Sequence, residues 1–299
     1  MSVKFGNYIR DDKLYSYGSY KKCYKAYNTE TSDTKEVLWC EIIKSNLDKI
    51  EIEKIKNEIK VIELNHPNII KLLDVFYLNK PIFIFEFACN NDILFCIKIG
   101  ENKKYLYKWI KQILSALKYL HSHNIIHRDI KPSNIVIDNS FDVKIIDFGE
   151  ATKIDIKDKT NPPMTINPHK NDKFDLSPVG TPGFIAPEIN NNYDSRIDIY
   201  SLGHLIICLI IKQYSKNTPV DDILVQMDIF EIENKTELLE KEYNKYFNSD
   251  NSTELMYQHL KKYPVFLKTF IEECLINKNK RKTAEELLDL YGPILDNYI

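Results

Sequence analysis

The sequence predicts an α+β fold whose strands come mainly first and whose helices come mainly after. Three observations carry this. Residues 14–45 hold runs rich in aromatic and β-branched residues, broken by a glycine-containing turn and a polar turn. Later segments, among them Leu106 to Leu120 and Ile199 to Ile211, are apolar at helical spacing or almost throughout. Between them, residues 124–149 read NIIHRDIKPSNIVIDNSFDVKIIDFG and set His127, Arg128, Asp129, Lys131, Asn134, Asp147, Phe148 and Gly149 in one order and spacing. A run of eight specified positions is not a chance match.

Composition bounds the reading. The 299 residues suffice for one large domain or two modest ones, and 43% hydrophobic with 28% charged residues supplies enough apolar surface to bury two cores. The formal net charge of −2 provides no global basic field, so nucleic acid is not expected as a partner, and the run Lys278 to Lys282 reads as solvated surface. Six cysteines with no C-x-x-C pair read as reduced thiols of a cytoplasmic protein. No N-terminal stretch combines basic residues with an apolar core of signal-peptide length. The longest apolar run, Ile199 to Ile211, contains Ser201 and His204 and is too short to span a bilayer, which leaves a buried helix and no membrane partner.

In chain order, residues 14–45 read as strand, turn, strand, polar turn (Asn28 to Lys35), strand. From Ile50 to Leu64, Ile52, Ile55, Ile59 and Ile62 recur at helical spacing, and Glu58 falls on their inward edge. KPIFIFEFAC, residues 80–89, reads as a buried strand. Leu106, Trp109, Ile110, Ile113, Leu114, Leu117 and Leu120 form a strongly periodic helix. Residues 147–188 have little apolar periodicity, and a stretch of that length outside regular structure points to function or disorder. Thr283 and Glu286 form a T-x-x-E capping box that opens a last helix.

On the residues 124–149 quoted above, together with SPVGTPGFIAPE at 177–188, the chain resembles a eukaryotic protein kinase. The resemblance implies the bilobal protein-kinase fold: one catalytic domain over 1–299, with a small β-rich N-lobe carrying one main helix (about 1–88) and a large, mostly helical C-lobe (about 89–299). It implies ATP and Mg²⁺ (Mn²⁺ is possible) as cofactors. Asp129 then orients the acceptor hydroxyl and takes its proton, Lys131 neutralises γ-phosphate charge and marks a Ser/Thr rather than a Tyr kinase, and Asn134 and Asp147 hold the metal. Phe85 lines the back of the cleft, the backbone of Glu86 and Ala88 bonds the adenine edge, and Val136 belongs to the nucleotide site. Thr181 bonds Asp129 and Lys131 to help form the acceptor site, Arg281 pairs with Glu188, and Asp198 bonds the backbone of the catalytic loop. His127 is structural.

The third strand departs from the pattern. The lysine expected at the end of V-A-x-K is Cys40, after Val37, Leu38 and Trp39. The glycine positions of the phosphate loop are Ser16, Gly18 and Lys21. This combination is similar to the with-no-lysine kinases, in which a lysine of the loop and second strand grips the phosphates instead. Lys21 stands at that place, Cys40 at the vacated one, and Glu58 is the implied partner of the lysine. Strand geometry agrees: residues two apart share a face, so with Cys23 packing on the adenine, Lys21 and Lys25 face the cleft and Lys22 faces away, while Lys25 lies roughly 13 Å along the strand, too far for the phosphates.

Other departures bear on the site. Leu38 replaces the usual alanine over the adenine and Cys23 the usual valine. Phe148 stands where with-no-lysine kinases usually have the leucine of a regulatory chloride pocket, so chloride sensing does not carry over. Ser177 coincides with the activating phosphoserine position of that family, and Arg128 is placed to receive its phosphate. The sequence therefore reads as a protein Ser/Thr kinase acting on protein hydroxyls. The alternative is a pseudokinase serving as scaffold or allosteric binder, favoured by the glycine-poor loop, Cys40 and Leu38. A kinase of small molecules or nucleic acid is disfavoured by the GTPxxxAPE segment.

Overall fold

The computed structural model describes residues 3–17, 21–30, 35–44, 46–60, 63–77, 80–88, 92–97, 103–153, 179–190, 193–214 and 260–299. The chain folds into a small β-rich lobe and a larger, mainly helical one. Its small lobe is a six-stranded antiparallel sheet in the order β1-β2-β3-β4-β6-β5. The strands are β1 (Val3–Phe5), β2 (Tyr8–Tyr17), β3 (Lys21–Asn28), β4 (Lys35–Ile42), β5 (Leu72–Tyr77) and β6 (Pro81–Glu86), with α1 (Lys49–Lys60) between β4 and β5.

Period-2 alternation divides the apolar residues of β4 between two clusters. Val37 and Trp39 pack with Tyr8, Ala26, Ile82 and Ile84 on one face. Cys40 and Ile42 pack with Cys23, Leu72, Phe83 and Ile55 of α1 on the other. Ile55 and Glu58 are three apart and thus neighbours on one helix face, so the contact that seats α1 on the sheet also turns Glu58 inward.

Two features of this lobe depart from expectation. Cys23 and Cys40 are not a pair of reduced thiols: they are joined by a disulfide. Antiparallel pairing of β3 with β4 puts them directly opposite each other, with Cα atoms 4.1 Å apart, and spacing along the sequence carries no sign of that. Leu64, the last apolar residue of the expected helix, lies beyond the end of α1 and packs into the core of the large lobe with Ile69 and Ile70.

The lobes meet where the chain between α1 and β5 crosses the large lobe. Ile69 bridges Ile145 in parallel, Ile70 N–H donates to the Ile145 carbonyl and Ile145 N–H to the Asn68 carbonyl, both at 2.9 Å. The large lobe holds α2 (Ile93–Cys96), α3 (Lys103–Ser122), α4 (Arg196–Tyr214), α5 (Val265–Leu275) and α6 (Ala284–Asp296). It also holds two small antiparallel pairs, β7 (Ile125–Ile126) with β10 (Thr152–Lys153) and β8 (Ile135–Ile137) with β9 (Val143–Ile145). No helix among the described residues is long and apolar enough to cross a membrane.

The stripe Leu106, Ile110, Ile113, Leu114 and Leu117 of α3 is buried against residues of α4, α5 and α6. Each such side chain contributes about 1.5–3 kcal/mol. Helix α4 is buried on all sides through Ile210, so its polar residues must find partners inside. Ser201 Oγ donates to the Phe184 carbonyl at 2.7 Å, and desolvation pushes the His204 imidazole down to about 4, which keeps it neutral. At the start of α6 the capping box is formed: Glu286 N–H donates to Thr283 Oγ at 3.2 Å, and Thr283 N–H to Glu286 Oε2 at 2.8 Å.

Arg281, 3% exposed, donates through Nη1 to Glu188 Oε1 at 2.5 Å and to the Arg196 carbonyl at 3.1 Å. This ties the segment before α6 to the segment before α4. Arg281→Ala leaves Glu188 without its cation in a half-dry site and is expected to lower stability by about 3–5 kcal/mol. Urea unfolding followed by circular dichroism measures this; a loss below 1 kcal/mol would show that the pair does not hold the two segments together.

Candidate active site

Residues 124–149 fold back on themselves between the lobes. Their anchor is Asp198 in the first turn of α4, with no solvent exposure. It accepts from the N–H of His127 at 3.0 Å and of Arg128 at 2.9 Å, and its Oδ2 lies 2.8 Å from His121 Nε2. Burial alone would push this carboxyl up, but the bonded His121, with His127 further off, holds it below the usual carboxylate range. Arg128 takes a left-handed φ of 67°, a costly conformation for a residue that carries a Cβ, and the bonds from the N–H groups of His127 and Arg128 to Asp198 support it.

That turn presents Asp129, 8% exposed, at the centre of a cluster. Thr181 Oγ donates to Asp129 Oδ1 at 2.7 Å, Lys131 Nζ lies 3.1 Å from Oδ2 and 2.7 Å from Thr181 Oγ, and Asn134 Nδ2 donates to Oδ2 at 2.9 Å. Thr181 reaches this place because Gly180 runs against the loop. Its φ is +99°, and a Cβ there would lie 2.9 Å from the Arg128 carbonyl oxygen, so only glycine fits. His127 faces away from the cluster. Its Nε2 lies 3.1 Å from the Ile146 carbonyl, its Nδ1 accepts from Asp129 N–H at 3.3 Å, and its ring meets Phe148 edge-on, which is a structural role.

Lys21 enters from the start of β3. Its Nζ lies 2.5 Å from Glu58 Oε1 and 4.0 Å from Asp147 Oδ1, joining the sheet, α1 and the 124–149 segment through one ammonium. The Glu58 side chain is 3% exposed, a position that needs a cationic partner. Packing around it works against a charge on Asp147, whose side chain is still 43% exposed, but Lys21, with His127 and Lys131 behind it, holds the carboxyl below its usual range. Asp147 sits at φ 60°, with Gly149 N–H 3.4 Å from its Oδ1. Lys25 points elsewhere: it pairs with Glu36 at 2.5 Å and lies over the Phe87 ring.

The remaining nucleotide-site candidates line the space between the lobes from the sheet side and the hinge. Ser16 lies opposite Cys23 on β2, and Leu38 opposite Lys25 and Phe85. Glu86 spends its N–H on the Lys71 carbonyl at 2.9 Å, and its side chain accepts from Lys144 Nζ at 3.0 Å, so a contact of an adenine edge with this residue uses its carbonyl. Ala88 is half-buried just beyond it, and Val136 bridges Asp92 on the floor. Gly18 and Ser177 lie outside the described residues.

The donor set suits a hard cation. Asn134 commits its amide nitrogen to Asp129, leaving its oxygen as the ligand atom, and Asp147 offers a carboxylate kept ionised by its neighbours. One or two such protein oxygens, completed by water and phosphate, are what Mg²⁺ ordinarily takes.

Four contacts escaped the sequence reading. Lys54 pairs with Glu150, Asn57 Nδ2 donates to the Gly149 carbonyl at 3.3 Å, and Arg128 is held by the Glu150 carbonyl at 2.6 Å and by Tyr193 OH at 3.2 Å. The signal for the first was present: Lys54 lies one helical turn before Glu58 and so on the same side of α1.

The protein kinase domain family matches residues 12–290. Calcium-dependent protein kinase 5 of Plasmodium berghei (strain Anka) is 39% identical over 218 residues, covering 69% of this chain and 35% of that protein. Serine/threonine-protein kinase WNK of Caenorhabditis elegans is 31% identical over 228 residues, covering 71% and 11% respectively. CBL-interacting protein kinase 2 of Oryza sativa subsp. japonica is 30% identical over 207 residues, covering 66% and 43%. The chain thus spans less than half the length of each of these relatives.

The lowered titration of Asp198 sets a sign. Stability from this carboxylate is present above the unfolded value, about pH 4, and is lost as pH falls through the lower folded value. Asp198→Asn puts an amide against an N–H and is expected to cost about 3 kcal/mol at pH 7. In urea unfolding, the gap between wild type and variant should narrow below pH 4; a gap that stays constant down to pH 2 contradicts the assignment.

Proposed function

Because the chain belongs to the protein kinase domain family, we propose that it is a Mg-ATP-dependent protein serine/threonine kinase whose phosphate lysine is Lys21. The observation that carries this is the position of the Lys21 ammonium, 2.5 Å from Glu58 and 4.0 Å from Asp147, while Cys40, where the family pattern has its lysine, is tied to Cys23.

In this reading residues 1–299 are one catalytic unit with lobes of about 1–88 and 89–299, and the nucleotide lies between them. Ser16, Gly18, Cys23 and Leu38 cover it, Phe85 and Val136 line it, and Glu86 and Ala88 meet the adenine edge. Lys21 binds α- and β-phosphate oxygens, and Glu58 holds the ammonium on the cleft side of β3. Mg²⁺, held by Asn134 and Asp147, supplies charge neutralisation at the phosphates when bound.

A Ser or Thr hydroxyl of a protein substrate hydrogen-bonds Asp129, which orients it in line with the γ-phosphate and accepts its proton as the oxygen attacks. Lys131, already 3.1 Å from Asp129, offers positive charge where it develops on the transferring group. Thr181, bonded to both, fixes the wall on which the acceptor segment lies. Phosphorylation of Ser177 would raise activity through Arg128, which exchanges its Glu150 carbonyl contact for the phosphate.

The test is phosphoryl transfer from ATP to a generic Ser/Thr protein in Mg²⁺ or Mn²⁺. Lys21→Met and Asp129→Asn are each expected to lower the rate by about 100-fold or more, with Lys22→Met close to wild type. Full activity in Lys21→Met overturns the lysine assignment. An inert wild type that still binds ATP turns the reading to the scaffold alternative, which the closed Cys23–Cys40 bond and the bulk of Leu38 favour.

A further inference from the structure

The disulfide on the roof of the cleft takes no part in the phosphoryl transfer itself, although Cys23 covers the nucleotide in the reading above. Cys23 and Cys40 are 17 apart in sequence but face each other across β3 and β4. Strand pairing itself holds their Cα atoms 4.1 Å apart, so the two sulfurs are neighbours whether or not they are bonded, and neither state requires the sheet to open. Cys23 is two residues from Lys21 and shares its strand face. The pair packs against Ile55 of α1, one turn from Glu58. The bond therefore lies on the strand face that carries Lys21 and against the helix that carries Glu58.

We propose that Cys23 and Cys40 are a reversible redox modification site in the nucleotide cleft, closed by a peroxide, reopened by a dithiol, and coupled to nucleotide binding. In closure the Cys23 thiolate attacks a peroxide oxygen. The O–O bond breaks, a sulfenic acid forms, and the departing hydroxide takes a proton to become water. Cys40 sulfur then attacks the Cys23 sulfur. The S–S bond forms, the S–O bond breaks, and hydroxide leaves as a second water with the Cys40 proton. Two thiols and one hydrogen peroxide become one disulfide and two waters. In reopening, a dithiol is oxidised to its own disulfide and returns both protons and both electrons.

Chemistry selects these thiols among the described ones. Cys23 and Cys40 face each other across β3 and β4, and Cys23, at 7% exposure, is the more open of the two to a peroxide. Cys208 and Cys274 lie buried in the large lobe, where desolvation keeps their thiols protonated, and half-buried Cys96 in α2 is not disulfide-bonded, so among the described thiols only Cys23 and Cys40 are placed to close on each other. Coupling follows from volume. Bonded sulfurs sit about 2 Å apart and unbonded ones nearly twice that, and the difference is absorbed on the roof of the cleft beside Lys21. By linkage, a change in ATP affinity on oxidation implies an equal effect of ATP on the redox equilibrium. The coupling rests on the reading of this cleft as an ATP site; the redox site itself does not.

The full chain is reduced with dithiothreitol, freed of reductant, and treated with equimolar hydrogen peroxide. Unreacted thiols are alkylated and peptides mapped by mass spectrometry, and ATP affinity is measured by fluorescent-nucleotide displacement in both states. The expected result is a Cys23–Cys40 peptide with Cys208 and Cys274 alkylated, full reversal by dithiothreitol, and an ATP affinity that differs about fivefold or more between states. Cys23→Ser and Cys40→Ser should each lose both the cross-link and the redox response. Absence of the Cys23–Cys40 peptide from folded, oxidised chain overturns the proposal, and so does equal affinity in the two states. No ATP binding in either state overturns the ATP-site reading and the coupling, while the peptide map alone still decides the redox site.

Discussion

The carboxylate of Asp198 has no contact with solvent, and it stays charged there because donors surround it: two backbone N–H groups and the ring of His121. Left unpaired on a buried helix it would cost several kcal/mol. Satisfying it bends the chain at His127 and Arg128 into a left-handed turn, and that turn aims Asp129 toward Lys131, Thr181 and Asn134. The arrangement of the large-lobe half of the site is thus a consequence of how one buried charge finds its partners. Because α4 is packed on all sides, the charge cannot move to meet the loop. The loop must come to it.

The small-lobe half depends on a different charge with the same logic. Glu58 is carried inward by the face of α1 that Ile55 packs on the sheet, and Lys21 neutralises it from the first residue of β3. Two further contacts, Lys54 with the Glu150 carboxylate and Asn57 with the Gly149 carbonyl, bind α1 to the segment just beyond Asp147. Helix α1 is therefore held at both lobes, and any shift of it moves the ammonium relative to Asp147. The Cys23–Cys40 bond lies on the same sheet face as Lys21 and packs against Ile55 of α1.

Much of this was legible in the chain itself. The β-rich and helical segments were marked by periods of 2 and 3.6, and the Thr283–Glu286 cap by its spacing, because these depend on local geometry alone. The 124–149 segment was legible for another reason: its residue types and spacing are dictated by chemistry and so stand out from any packing pattern. Lys21 was singled out by the resemblance to the with-no-lysine kinases, and strand alternation, which places it on one face with Cys23, agreed. Lys54 was overlooked because a lysine on a charged helix reads as solvated surface until its partner, 96 residues later, is known.

The amino-acid sequence by itself determined the α+β class and the order of the elements, which side-chain type and short-range backbone repeat set, while its resemblance to the protein kinases pointed to candidates for base, cation and metal ligand. Only the tertiary structure decided that Lys21 meets Glu58 and Asp147 together, that Arg128 is held by Glu150 and Tyr193, and that Cys23 is bonded to Cys40. Those pairings join residues distant in sequence, and they follow from strand register and from how α1 and α4 seat in their cores, which no local pattern in the chain encodes.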